Sequence, residues 1–246
     1  MAGERTNRVW ELILAAHTGQ GPVSVAAVCG AAVRWLPVDG ASVTALGGAM
    51  TREPLFASNE VSARLEELAF TTGEGPGADE FRLGSPVLIP DLELMTARWP
   101  GFAPAAVAAG ARAMFAVPLQ AGAIRVGVLS LYRVLPGALT AVELADLLVF
   151  ADIALQLMLD ATAGISGLLE YRPLDGLSDS RAEVYQATGM VSVQLNVSLE
   201  VAFVRLRAHA FAAGLPLGDI ANEVVQHRLR LEPDPEPDAD PDPELR

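Results

Sequence analysis

Apolar residues recur at helical spacing over Asn7–Ala16 and again over Val23–Trp35, and the spacing then changes to that of extended chain at Gly40–Leu46. Ser58–Phe70 reads as a helix with one polar face, followed by a Gly- and Pro-rich loop at Gly73–Ala78. Short apolar runs at Pro86–Ile89, Ala113–Leu119 and Val126–Tyr132 read as strands, the last two separated by a turn at Gln120–Gly122. A long apolar helix then opens at Thr140, with Glu143 three residues on to complete a capping box. It is apolar almost all round, more than one sheet face can cover, so its remaining surface is expected to meet a second copy of the chain. Short strands split by helices and closed by helices at both ends predict an α+β sandwich built on an antiparallel sheet.

Beyond a break at Gly164–Ser178 the pattern is purely helical. Ser180 with Glu183 reads as a capping box opening a helix to Leu195; Ser198 opens a second, stopped by Gly214; Pro216 precedes a third reaching Arg230. Their inward stripes are Val184, Ala187, Val191 and Leu195, then Leu199, Phe203, Leu206 and Ala210, then Leu217, Ile220 and Val224. The predicted organisation is therefore an α+β domain at 1–163, a linker at 164–177 and an all-α three-helix bundle at 178–231. Residues 232–246, which alternate proline with acids, form a tail expected to be disordered.

Composition narrows the function. The chain has 246 residues, 51% of them hydrophobic, enough for one large core or two modest ones. Cys29 is the only cysteine and sits in an apolar helical pattern, so it reads as core, with no disulfide, no Cys-based zinc site and a reducing compartment. The basic residues are 17 arginines against 30 acids, a net charge of −13, which excludes a globally basic nucleic-acid binder. The tail holds seven of those acids and one arginine, so nearly half the net charge lies outside the folded part. Residues 178–231 carry five arginines and five acids and are neutral. The apolar run Ala141–Leu159 reaches membrane-spanning length but holds Glu143, Asp146, Asp152 and Gln156, so no membrane segment is expected. The first twenty residues lack the basic end and apolar run of an export signal, and a cytoplasmic protein is expected.

Catalytic signatures are missing. There is no HExxH, no GxSxG and no complete phosphate loop, and the three histidines, His17, His209 and His227, lie far apart in sequence. The expectation is a protein that is not an enzyme, with no metal and no cofactor. Gly73-Glu-Gly-Pro-Gly77 could cradle a phosphate but lacks the spacing and the lysine of a phosphate loop, and a structural turn accounts for it. Asp91, Trp99 and Phe102, in a loop after the strand at Pro86, could wall a ligand cavity or simply cap the sheet. In the bundle, Ala182, Gln186, Gly189 and Val193 share the side of the first helix opposite its core stripe. Glycine inside a helix costs about 1 kcal/mol relative to alanine, so close approach by a nucleic-acid backbone or another helix is expected at Gly189. Arg205 and Arg207, on opposite flanks of the second helix, are candidate RNA contacts, or else a solvated face.

Arg181–Met190, Val197–Arg207 and Leu217–Ala221 together resemble the ANTAR domain, a three-helix RNA-binding module of transcription antitermination regulators. Upstream, Gly73–Pro76, Pro86–Leu92, Trp99–Phe102, Pro118-Leu119 and Gly127–Tyr132 resemble a GAF domain, a small-molecule sensor and dimerisation module. The pairing is similar to GAF-ANTAR regulators of high-GC actinobacteria, with which the all-arginine basic set agrees. The resemblance implies a homodimer that binds a tandem RNA stem-loop in a nascent transcript and prevents termination, controlled by a GAF domain with an unidentified small-molecule ligand. By position, Ala187 and Gly189 match small residues of the first ANTAR helix and Arg207 a basic position of the second; Thr188 stands where many members carry lysine. The RNA face so implied is Gln186, Thr188, Gly189, Arg205 and Arg207. The competing expectation is a dimeric signalling regulator that works by protein–protein contact and binds no RNA.

Overall fold

The computed structural model describes residues 2–17, 21–47, 51–162 and 177–232, and the chain separates into two compact units, Met1–Asp179 and Ser180–Arg246. The predicted linker, save Leu177, and the predicted tail, save Glu232, lie outside the described residues.

The first unit is built on a five-stranded antiparallel sheet, order β2-β1-β5-β4-β3, from β1 (Gly40–Gly47), β2 (Thr51–Ala57), β3 (Val87–Ile89), β4 (Ala113–Ala121) and β5 (Ile124–Arg133). Strand β2 is absent from the sequence reading because Thr51-Arg-Glu-Pro54 has neither clean alternation nor β propensity. It is an edge strand, where the missing N–H of Pro54 is tolerated, and a register shift at Val43/Thr44 accommodates it.

Period-two alternation gives the sheet two different faces. Val43, Phe115, Val117, Leu129 and Leu131 face α1 (Ala2–Ala16), α2 (Val25–Trp35) and α6 (Ala141–Thr162), forming the main apolar core. Cys29 is buried in that core, where burial pushes its thiol pKa up and keeps it inert. One buried carboxylate ties the three helices: Asp146 accepts two bonds from Arg8 at 2.8 and 3.0 Å, one from Arg5 at 2.9 Å and one from the Trp35 indole at 2.9 Å. The capping box that opens α6 is reciprocal, Thr140 N–H donating to Glu143 at 2.7 Å and Glu143 N–H to the Thr140 hydroxyl at 3.2 Å.

The opposite face mixes hydroxyl residues, Ser42, Thr44 and Ser130, with the apolar Val87, Ile89 and Met114, and packs on α3 (Glu60–Thr72), α4 (Pro76–Leu83) and α5 (Ala103–Ala108). Ser42 and Thr44 donate to the two oxygens of Glu66 at 2.8 and 2.6 Å. The Gly-Pro segment read as a loop is a tight corner between helices: Gly73 ends α3 in the left-handed region at φ +70°, Gly75 caps α4, and Pro76 is its first residue. The Glu74 carboxylate accepts from the N–H groups of Gly101 and Phe102 at 2.8 and 3.0 Å, an arrangement that leaves an acid where a phosphate cradle would need donors.

The second unit comprises α7 (Leu177–Leu195) from Ser180 onward, α8 (Leu199–Ala213) and α9 (Leu217–Val225), closed around Val184, Ala187, Val191, Phe203, Leu206, Ile220 and Val224. Helix α7 begins three residues before Ser180, so the predicted capping box there is wrong; Glu183 instead accepts from the Asn222 amide at 3.4 Å. Ser198 does cap α8, accepting from Val201 N–H at 3.3 Å, and Gly214 ends it at φ +64°. Leu199, expected in the core, is exposed, and α9 stops at Val225 rather than Arg230. Among the described residues no single helix is long and apolar enough to cross a membrane.

Candidate functional site

The bundle carries a cleft of about 700 Å³ between α7 and the segment that follows α9. Its helix side is Gln186, Gly189 and Val193, the face of α7 left over once Val184, Ala187 and Val191 are turned inward. Its other side is formed because α9 ends early: Gln226 is its C-cap, and His227 follows in the left-handed region at φ +59°. The N–H groups of Arg228 and Leu229 both turn back to the Glu223 carbonyl, at 2.8 and 3.0 Å. The chain thus reverses and runs back along α7, where the Gln194 amide donates to the Leu231 carbonyl at 2.9 Å. The result brings His227 and Arg230 opposite Gln186, with Val224 at the base.

A Cβ added at Gly189 meets nothing within 4 Å, so no packing within this bundle requires glycine there; its effect is to leave the cleft wall open. The cations differ in availability. Arg228 is committed to Glu223 at 2.8 and 3.0 Å and to Asn222 at 3.1 Å, and its guanidinium holds the Glu223 carboxyl below the usual range. Arg181 is buried. Arg207 lies over the Phe203 ring with 3.9 Å to its centroid. Arg230 is exposed at the cleft.

Of the predicted RNA-face residues, Gln186 and Gly189 come together in the cleft, whereas Arg205 and Arg207 are half-buried on α8 and do not line it. Thr188 is a correction: it is 1% exposed, and its hydroxyl donates to the Val184 carbonyl at 2.7 Å, one turn back on α7. A threonine here satisfies itself inside the helix and faces the core, so its presence takes no cation from the outer face. His227, Arg230 and Gln194 were missed. The sequence reading ran the third helix through His227, and only the early stop of α9 turns these side chains toward α7.

The predicted ligand wall in the first unit is also corrected. Trp99 and Phe102 are 1% and 0% exposed and meet edge to face at 6.3 Å within a second apolar cluster with Leu65, Leu92 and Met114. Asp91 caps the 3₁₀ turn Leu92–Met95 by accepting from Glu93 N–H at 3.1 Å and pairs with Arg112 at 3.2 Å. The three residues hold the sheet cover in place. Two groups in that region have unmet hydrogen-bonding capacity, the Trp99 indole N–H and Glu80 on α4: Glu80 is 1% exposed, neither carboxylate oxygen has a hydrogen-bond partner, and burial pushes its pKa up to about 7 against the pull of Arg125 and Arg52. Among the described residues no three His, Cys, Asp or Glu side chains converge as a metal site would require.

Residues 176–225 match the ANTAR domain family. No curated protein matches the chain. Among solved structures, the GAF domain of a phosphoenolpyruvate-protein phosphotransferase from Coxiella burnetii is similar, with a TM-score of 0.50 at 13% identity, over 66% of this chain and 95% of that one. The GAF domain of the Acinetobacter phosphoenolpyruvate-protein phosphotransferase aligns over 68% of this chain and 98% of its own length, at 14% identity and a TM-score of 0.49. GAF-B of DevS from Mycobacterium smegmatis gives 18% identity and a TM-score of 0.41, over 57% of this chain and 94% of that one.

Proposed function

We propose that this chain, in which an ANTAR domain follows a domain of GAF fold, is a cytoplasmic transcription regulator and not an enzyme. As a homodimer it binds a tandem RNA stem-loop through the bundle and prevents termination, under control of an unidentified small-molecule ligand of the first domain. The observation that carries the reading is the ANTAR match over residues 176–225 together with the cleft that joins Gln186 and Gly189, inside the match, to His227 and Arg230, just beyond it. RNA loops are read through unstacked bases and through hydrogen bonds to base edges, which such a cleft can supply. Arg205 and Arg207, on α8, supply the phosphate contacts in this reading. Dimerisation falls to α6, where Leu148, Asp152 and Leu159 are exposed along one line of the helix.

The test is a gel shift of the purified protein with a panel of tandem-hairpin RNAs at two salt concentrations, against a scrambled RNA. Hairpin-selective, salt-sensitive binding that weakens in Arg207→Ala supports the proposal; no selectivity for any hairpin refutes it. Light scattering of Leu148→Glu separates assembly from RNA contact, since a monomer is expected. One observation favours the competing reading of a protein-interaction regulator: α8 exposes Val201, Val204 and Phe211 as an apolar stripe. An assembly lost in Val204→Glu, with no RNA bound by the unaltered protein, would establish that alternative.

A further inference from the structure

We infer that the cleft between α7 and the segment after α9 is a receptor for a single unstacked RNA base, stacked on His227 and read at its edge by Gln186. This rests on the RNA-binding reading above and says how recognition is achieved.

The neutral charge of residues 178–231 is the first reason. Phosphate contacts supply most of the affinity of a strongly basic protein, but here Arg228 is tied to Glu223 and Asn222, and Arg181 is buried. With its phosphate contacts limited to Arg205, Arg207 and Arg230, the bundle draws more of its affinity from base stacking and from hydrogen bonds to base edges, the latter of which read sequence. The cleft has the features these need. Its volume of about 700 Å³ falls within the range of sites that enclose small organic ligands. Val193 and Val224 give it apolar walls, Gln186 and Gln194 give it amide groups, and Gly189 leaves it open on the α7 side. Arg230 stands at the same cleft, placed for the phosphate of the bound nucleotide.

The second reason is the backbone of His227. It occupies the position after a helix C-cap at φ +59°, a conformation that glycine adopts without a Cβ penalty. A chain that needed only the reversal would be more stable with glycine. Histidine there costs stability and puts an imidazole on the cleft, the pattern of strain held at a functional position.

The strained backbone makes the test selective, because His227→Gly removes the ring while relieving the strain. The full-length protein is used to select a tandem-hairpin RNA from a pool with randomised loops. Affinities are then measured for that RNA and for versions carrying an abasic site at each loop position in turn. The expected result is one loop position whose abasic version weakens binding by about tenfold or more. His227→Gly should lose a similar factor on the intact RNA and become insensitive to the abasic site at that position, with a bundle melting temperature equal to or above that of the unaltered protein. Gln186→Ala, an exposed substitution, provides a second variant and should lose discrimination between bases at that same position. If every abasic version weakens both variants and the unaltered protein equally, the base receptor is refuted while RNA binding stands. If the unaltered protein retains no hairpin from the pool, the RNA-binding reading itself falls.

Discussion

Replacing Glu80 by glutamine should make the first unit more stable at neutral pH and remove the part of the pH dependence of its stability that this buried carboxyl contributes. Glu80 is 1% exposed on α4, has no hydrogen-bond donor on either oxygen, and has its pKa raised from the ordinary 4.5 to about 7, chiefly by burial. The folded state therefore holds a proton that the unfolded chain releases between those two values. In that window the folded state binds more protons, so unfolding free energy falls as pH rises from about 4.5 to about 7, and it is level above. A shift of that size corresponds to a loss of up to about 3 kcal/mol at 1.36 kcal/mol per pH unit, and a neutral amide of the same shape does not incur it. Trp10, Trp35 and Trp99 all lie in the first unit, so tryptophan fluorescence during urea denaturation reports on that unit alone. The unaltered protein and Glu80→Gln are compared at pH 5 and pH 8; other carboxylates, including Asp152, whose pKa is also raised by burial, contribute equally to both. The difference between the variants should be below about 1 kcal/mol at the lower pH and approach about 3 kcal/mol at the higher. Identical slopes with pH would mean that Glu80 is solvated or paired in solution, and the reasoning from burial would be wrong.

Asp146→Asn should cost about 2–3 kcal/mol in the same denaturation assay, because the buried acceptor shared by Arg5, Arg8 and Trp35 loses its charge-assisted bonds. Gly127→Ala should destabilise the sheet by about 1–3 kcal/mol, since its Cβ would stand 2.6 Å from the Thr44 carbonyl on the paired strand, and the backbone there must shift. Thr188→Val should leave hairpin-RNA affinity unchanged and alter bundle stability by less than about 1 kcal/mol by circular dichroism, because the hydroxyl bonds only to its own helix. Thr140→Ala removes one half of the α6 capping box and should lower the stability of the first unit by about 1 kcal/mol.

The bundle shows how far the site could be read in advance. Gln186 and Gly189 were legible because a single helix places them on its outer face by geometry alone. Thr188 was misassigned by carrying a family's polar position onto a residue that, at 1% exposure, satisfies its own hydroxyl one turn back. Trp99 and Phe102 stayed open between two readings, since aromatic residues in a long loop read the same whether they wall a cavity or cap the sheet, and their burial in the second apolar cluster favours the cap.

What the sequence determined by itself were the properties that depend on local spacing and composition: the two-part organisation, most helices and strands with their inward faces, the capping box at Thr140 and the burial of Cys29. The ANTAR and GAF resemblances also rest on residue pattern. Tertiary structure alone decided the rest. Strand β2 exists because β1 offers it an edge to pair with, against the propensity of Thr51-Arg-Glu-Pro54. Glu80 is buried without a partner because α4 is packed on the inner face of the sheet, where Gly77 faces Ser130. The cleft exists because α9 stops at Val225 and the chain turns at His227 to run back along α7, joining residues some forty positions apart. Such a meeting depends on where the chain reverses, and a period of hydrophobic positions carries no record of it.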